Sequence, residues 1–305
     1  MFTRAYVATV IAWLHTYSWS SIYHNYNLFL TVKDLPPEAK CKLFADDMKS
    51  YITFINSDSY SLVPSMLDAI SSWSVAWQLP ISLTKCNWMF ICNRKNENIL
   101  FSVNLLGSCV DRIDEVKDLG ILFNSKLNFS PHISQIVSEA KQRIFFTVES
   151  FSYSNIEALI LAYKTYVLPV VDGRILFVWS PSLVTDIIAV ESVQRLFTRR
   201  LKPCLNLNYK ERFSYCGLFT LEKRRLIADL ILMYKILHGL VNLHFGNALV
   251  LFTGPTHGHT YKLVTKGARI NTRQHFFISR TVKPWNSLPQ SAFSAESVYT
   301  DSAIA

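Results

Sequence analysis

The sequence predicts an α+β fold, in which short strands surround one amphipathic helix and a run of helices follows. Three observations carry this. Between residues 41 and 123, short apolar runs bounded by turn residues recur in the manner of strands. Among them, Leu62, Met66, Ile70, Trp73 and Trp77 fall at spacings of 4, 4, 3 and 4, one face of a helix. From residue 130 onward the apolar residues keep the helical period. At about 100–200 residues per domain, a chain of 305 residues has room for two. With 50% apolar and 17% charged residues, wholesale disorder is excluded.

Taken in order, residues 41–45 and 48–55 read as two strands with Asp46 and Asp47 between them, hence a hairpin. The amphipathic helix of residues 62–77 is closed by Pro80. Residues 86–92, 99–105 and 116–123 read as further strands, the last with Gly120 as a bulge. Ser130 and Pro131 start a helix, Ser as N-cap and Pro in the first turn, with Ile133, Ile136, Val137, Ala140 and Ile144 on its apolar face. Ser154 and Glu157 make a capping box for a helix that runs to Leu168 and ends at Pro169. Residues 183–200 form another, basic at its end, and residues 221–238 one more, with Gly239 as its C-cap. Beyond 241 the pattern is weak, and Pro284 and Pro289 mark loops. This gives four segments: 1–19, 20–127 mixed, 128–240 helical, and a basic extension over 241–305.

The charge is uneven. Residues 1–189 carry 15 Lys and Arg against 16 Asp and Glu, whereas residues 190–305 carry 16 against 6. An excess of +10 in the last third points to a polyanionic partner, nucleic acid being the commonest; a merely soluble basic surface is the plainer alternative. The six cysteines lack C-x-x-C spacing and no His pair completes a zinc pattern, so buried free thiols are expected. Residues 4–14 have the charged start and short apolar stretch of a signal peptide. The run is too short to span a bilayer and has no A-x-A site. An intracellular location, cytoplasm or nucleus, is favoured over secretion, and no membrane span is expected.

Adjacent carboxylates at a hairpin tip repel and raise each other's pKa, which a divalent cation relieves. Mg²⁺ prefers one or two carboxylates plus phosphate oxygens, and two such ions clamp the oxygens of phosphoryl transfer. A solvated Asp-Asp turn is the plainer reading of the dipeptide alone. Its surroundings decide for the metal. Leu35-Pro36-Pro37 precedes it, Phe44-Ala45 leads into Asp46 and Asp47, and Ser82-Leu83-Thr84-Lys85-Cys86 follows the helix. This succession resembles the palm of reverse transcriptases from non-LTR retrotransposons, the jockey-like and related LINE polymerases. Further blocks resemble that family in order: Asp118-Leu119-Gly120-Ile121, Leu127-Asn128-Phe129-Ser130-Pro131-His132-Ile133, Trp179-Ser180-Pro181, Gln194-Arg195-Leu196-Phe197, Leu221-Glu222-Lys223-Arg224-Arg225-Leu226 and Trp285-Asn286-Ser287-Leu288-Pro289.

The resemblance implies a partial polymerase palm, antiparallel strands plus a helix, followed by a helical thumb-like domain. It implies Asp46 and Asp47 as catalytic and Mg²⁺-binding carboxylates and Lys85 as the group that protonates pyrophosphate; a surface lysine is the plainer reading of Lys85. RNA template and DNA primer are the implied partners, their phosphates met by Arg195, Arg199, Arg200, Lys202, Arg224 and Arg225. For these a solvated helix face weighs about evenly. Trp179 and Trp285 are expected in the core rather than against bases. The departures are equally informative. The family's further catalytic Asp lies well upstream of the hairpin, and nothing among residues 1–45 fits it. The fingers and an endonuclease domain are missing, and residues 1–17 match nothing in the family. The chain reads as a truncated RNA-directed DNA polymerase, inactive alone, with an unpaired edge where the first palm strands are lost; the alternative is a nucleic-acid-binding module retained from the thumb.

Overall fold

The structure, a computed structural model, describes residues 6–13, 32, 35–44, 47–54, 61–91, 102–151, 155–173, 176–243, 245, 248–254, 259–265, 267 and 271–293. The fold is α+β, with helix prevailing over strand. The chain divides into two compact units, Met1–Asn128 and Phe129–Ala305.

The first unit holds a six-stranded sheet. Its strands are β1 (Tyr6–Trp13), β2 (Ala39–Phe44), β3 (Asp47–Phe54), β4 (Asn87–Ile91), β5 (Val103–Leu105) and β6 (Ser108–Arg112), in the order β2-β3-β1-β4-β6-β5. Neighbours are antiparallel except β4 and β6, which run parallel. One expectation changes here. Within the apolar stretch of residues 4–14 lies β1, and it sits inside the sheet, paired with β3 from Tyr6↔Phe54 to Trp13↔Asp47 and with β4 from Val7↔Ile91 to Ile11↔Asn87. The edge expected beside the hairpin is therefore occupied. A residue run such as YVATVIAW fits a leader and a doubly flanked strand equally, because both are apolar throughout.

Helix α1 (Leu62–Ala76) covers one face of this sheet. Met66, Ile70 and Trp73 are buried as the stripe predicts, joined by Val63 and Leu67, and meet Met48 and Ile52 of β3, Trp88 and Phe90 of β4, and Val103, Leu105 and Val110. Trp77 departs from the stripe: it is 45% exposed, because the helix has already ended. Gln78 takes a left-handed φ of 54°, Gln78 N–H donates to Val75 and Leu79 N–H to Ser74, so the stop comes before Pro80. The expected single strand over 116–123 is a hairpin instead, β7 (Glu115–Asp118) and β8 (Ile121–Asn124). Leu119 and Gly120 form its two-residue turn, both with positive φ (46° and 87°), the conformation that suits the twist of paired strands. Leu106 and Gly107 do the same between β5 and β6.

The second unit begins with α2 (Ser130–Ser150). Its buried residues include the predicted Ile133, Ile136, Val137, Ala140 and Ile144, with His132 and Thr147. Ser130 is not its N-cap: the helix starts at Ser130 itself, and the hydroxyl donates to Asp186 at 2.7 Å. Asn155 caps α3 (Ile156–Ala162), accepting from Ala158 N–H at 2.8 Å; Ser154 lies outside the described residues. The helix does not end at Pro169. A π turn, Tyr163–Val167, leads into α4 (Leu168–Val171), shifting the hydrogen-bond ladder just before the residue that lacks an N–H. After α5 (Leu176–Trp179), α6 (Val184–Arg200) packs on α2 and buries Val190, Val193 and Phe197, with Phe197 stacked on buried Tyr163 at 4.1 Å.

Helices α7 (Tyr209–Cys216) and α8 (Leu221–Leu237) follow. At the end of α8, Gly239 N–H donates to Ile236 and Leu240 N–H to Lys235, with Gly239 at φ 66°, the cap the sequence predicts. After α9 (Asn271–Gln274), α10 (Phe277–Asn286) runs through Pro284, expected as a loop. Phe277, Ile278, Val282 and Trp285 pack with Leu230, Met233 and Leu263 into a second core. The helix holds because Trp285 is fixed: it is buried, with its indole N–H on Tyr261 O at 2.7 Å, while Asn286 exchanges two 2.9 Å bonds with the Leu263 backbone.

Replacing Ile70 by Ala should lower the unfolding free energy by about 2–5 kcal/mol, whereas Trp77→Ala should change it by less than about 0.5 kcal/mol. Urea unfolding of the full chain followed by tryptophan fluorescence and circular dichroism checks both.

Candidate functional site

The expected hairpin forms from β2 and β3, but its tip differs by one residue: Phe44 pairs with Asp47, so Asp47 belongs to β3 and not to the turn. Asp46 lies outside the described residues, and of Asp47 only the backbone is described. That backbone begins β3 and pairs with Trp13, the last residue of β1. Lys85 ends a 3₁₀ turn, Leu83–Lys85, and is exposed. Two residues later Asn87 opens β4 opposite Ile11 of β1. Asp47 and the approach to β4 thus meet the same end of β1 from its two sides. With strands about 4.8 Å apart, the two backbones stand about 10 Å from each other. Lys49 of β3 is engaged in an ion pair with Asp118 of β7.

The donor set matters for Mg²⁺. Two ions that clamp the attacking and leaving oxygens of phosphoryl transfer need carboxylates beyond one adjacent Asp pair, and a source close by would be the strand beside the hairpin. That strand is β1, Tyr6–Trp13, and its eight residues include no Asp or Glu. Among the described residues no three His, Cys, Asp or Glu side chains gather to hold an ion. A cavity of about 650 Å³ along α1, lined among the described residues by Ser65, Asp68, Ser72, Trp73 and Trp77, brings one carboxylate. Among the described residues no two-ion site is composed, and no chemical step is drawn through one.

The basic residues separate into two groups. Arg195, Arg199, Arg200 and Lys202 are exposed at the end of α6 and just beyond it. Arg195 lies over the Tyr209 ring at 4.7 Å and Arg200 over Phe145 at 5.6 Å. Arg199 and Arg200 also occupy the last turn of α6, where a positive charge complements the helix dipole. Arg224 and Arg225 depart from the phosphate-contact expectation. Arg224 pairs with Asp172. Arg225 is only 5% exposed; burial lowers its pKa, opposed by the facing Asp172, Glu191, Glu222 and Asp229. Adjacent arginines on a helix point about 100° apart, so one turns inward wherever the other reaches the rim.

A polar network fixes this region. The Tyr209 hydroxyl donates to Glu191 at 2.6 Å, and the other oxygen of Glu191 accepts from Leu221 N–H at 3.1 Å. Tyr163 donates to Gln194, whose amide donates to Phe219 O at 2.8 Å. Asp229 holds Arg280 by two bonds of 2.8 and 2.9 Å. Trp179 is buried with an edge-on contact to His132 at 5.0 Å, so neither it nor Trp285 faces a ligand.

Phe145 and Phe146 escape the sequence reading. They are 51% and 66% exposed on α2, edge to face at 6.1 Å, next to Arg200. The available signal is that two aromatics directly follow Ile144, the last residue of the apolar stripe, and so fall off that face.

The chain matches no protein-family model, no curated protein and no solved structure. Among the described residues no helix is long and apolar enough to cross a membrane.

Burial raises the Asp172 carboxyl above its ordinary 3.8, against the lowering pull of Arg224 and Arg225. The folded chain therefore takes up this proton more readily than the unfolded one. The contribution of Asp172 to stability falls as pH rises from 3.8 through the higher folded value. The stability of the natural chain minus that of Asp172→Asn should decline across this window, as measured by chemical denaturation of both proteins at successive pH values.

Proposed function

We propose that this chain derives from the palm and thumb of a non-LTR retrotransposon reverse transcriptase, that it does not extend primers by itself, and that its working activity is nucleic-acid binding through the second unit. The observation that carries the reading is the order of elements around Asp46 and Asp47. An antiparallel hairpin pairs Phe44 with Asp47, a helix packs on the sheet, and a lysine turn opens a strand at the same end of the sheet. The inactivity rests on β1, which occupies the position beside the hairpin without a carboxylate. The resemblance of the ordered motifs to the family stands behind the assignment of partners: an RNA template and a DNA primer.

Binding is supported by a distinct set of side chains. Exposed Arg195, Arg199, Arg200 and Lys202 supply charge, and Phe145 and Phe146 supply open ring faces beside Arg200. Cations track phosphates while aromatic rings stack on bases, a combination that binds strands without choosing sequence. A merely solvated helix end would lack the adjoining exposed rings.

Primer extension on an RNA template with Mg²⁺ tests the first part, with the double variant Asp46→Asn, Asp47→Asn as control. No incorporation above the control is expected. Incorporation that disappears in the control would show a working polymerase and overturn the inactivity.

The second part predicts that anisotropy of a labelled RNA–DNA hybrid reports binding that weakens by about tenfold or more as salt rises from about 50 to 200 mM. A double Arg199→Glu, Arg200→Glu variant should weaken it at least as much at low salt, and Phe146→Ala should cost about 1–3 kcal/mol on single strands. Binding unchanged by these variants would sink the assignment to this surface.

A further inference from the structure

Cys204 and Cys216 lie twelve residues apart, yet the fold brings their sulfurs to 3.9 Å. Cys204 ends a 3₁₀ turn, Lys202–Cys204, directly after α6; its N–H donates to Leu201 O at 2.9 Å and its carbonyl accepts from Leu207 N–H at 3.2 Å. Cys216 is the last residue of α7, where the chain turns at Gly217 with φ 58° and Leu218 N–H returns to Phe213 O at 3.1 Å. Both backbones are thus held on either side of the sulfur pair. Both residues are buried, at 0% and 4% exposed, Cys216 being the slightly more open.

We propose that Cys204 and Cys216 are a dithiol modification site that closes an intramolecular disulfide on exposure to a small disulfide oxidant such as oxidised glutathione. A disulfide requires an S–S distance of about 2.05 Å, so the sulfurs, 3.9 Å apart, must approach by about 2 Å. The reaction runs in two exchanges. The Cys216 thiolate attacks one sulfur of oxidised glutathione, and glutathione thiolate leaves. The Cys204 thiolate then attacks Cys216 Sγ in the mixed disulfide, and a second glutathione thiolate leaves. Two protein thiols are oxidised, one glutathione disulfide is reduced to two thiols, and the two protons released by the cysteines are taken up by the departing thiolates.

Burial, with Cys204 beside it, pushes the Cys216 thiol up to about 12. Attack is therefore slow in the closed protein and proceeds when α7, only eight residues long, opens locally. Closure then ties the end of α7 to the turn after α6. Tyr209, at the start of α7, lies under Arg195 at 4.7 Å and Arg212 at 5.6 Å and donates to Glu191. The disulfide fixes the platform on which Arg195 rests. The proposal is independent of the polymerase reading, since it requires the helical unit alone.

The test is peptide mapping by mass spectrometry, without reduction, after the folded full chain is incubated with excess oxidised glutathione in mildly alkaline buffer and quenched with acid. The expected product is one cross-linked peptide pair joining Cys204 to Cys216, two hydrogens lighter than its separate halves. It should form several-fold in excess of any other pairing, and the preference should vanish when the incubation is done in denaturant. The oxidised chain should melt about 5–10 °C above the reduced one. Cys204→Ala should leave Cys216 as a lasting mixed disulfide with glutathione, and Cys204→Ser serves if the alanine variant misfolds. Persistence of both thiols, a stable glutathione adduct on Cys216 in the natural chain, or pairing no more frequent than in denaturant would overturn the proposal.

Discussion

A strand placed inside a sheet must find partners for its backbone groups on both sides, and in the first unit that demand falls on Tyr6–Trp13. Its pairing with β3 on one side and β4 on the other makes a single sheet of the hairpin and the strands beyond α1. Without it the hairpin would be a two-stranded ribbon, marginal in water, and α1 would have no continuous surface to cover. The same placement governs the chemistry. Whatever occupies the position beside the hairpin decides whether acids converge there, and a strand of Tyr, Val, Ala, Thr, Ile and Trp supplies pairing without charge.

In the second unit the organising residue is α6, whose two sides do different work. Val190, Val193 and Phe197 join the core, while Glu191 accepts from the Tyr209 hydroxyl of α7 and from Leu221 N–H of α8, and Gln194 donates to Phe219 O between them. The exposed cations at its end are therefore carried on a helix whose other faces are fixed by packing and hydrogen bonds. A charged surface built this way costs little ordering on binding, because the helix that presents it is already held.

Much of the helical architecture was legible because periodicity is a local property. The stripe from Ile133 to Ile144 and the closing Gly239 predict α2 and the end of α8 closely. The pairing of β2 with β3 was legible for a similar reason, two apolar runs close in sequence, but not its tip, where Asp47 belongs to the strand. Other features depend on contacts that no local pattern encodes. Leu119 in a left-handed turn contradicts its residue preference and is paid for by the pairing of β7 with β8. Arg224 and Arg225 look alike in sequence, and only the packing of α8 separates the rim position from the buried one. Pro284 reads as a stop until Trp285 and Asn286 are seen anchoring the turn around it.

The Asp229–Arg280 pair has a consequence for how the molecule comes into being. Asp229 is 6% exposed, and its partner lies 51 residues further along the chain. As the protein leaves the ribosome, α8 emerges with Asp229 facing Arg225 of its own helix but without the two hydrogen bonds that Arg280 brings, and burying a charge short of hydrogen bonds is costly. The side of α8 that carries Leu230 and Met233 must wait with it, since Phe277, Ile278 and Trp285 come from that same late segment. Synthesis order thus sets assembly order: the helix in the middle of the unit is among the last to reach its native environment.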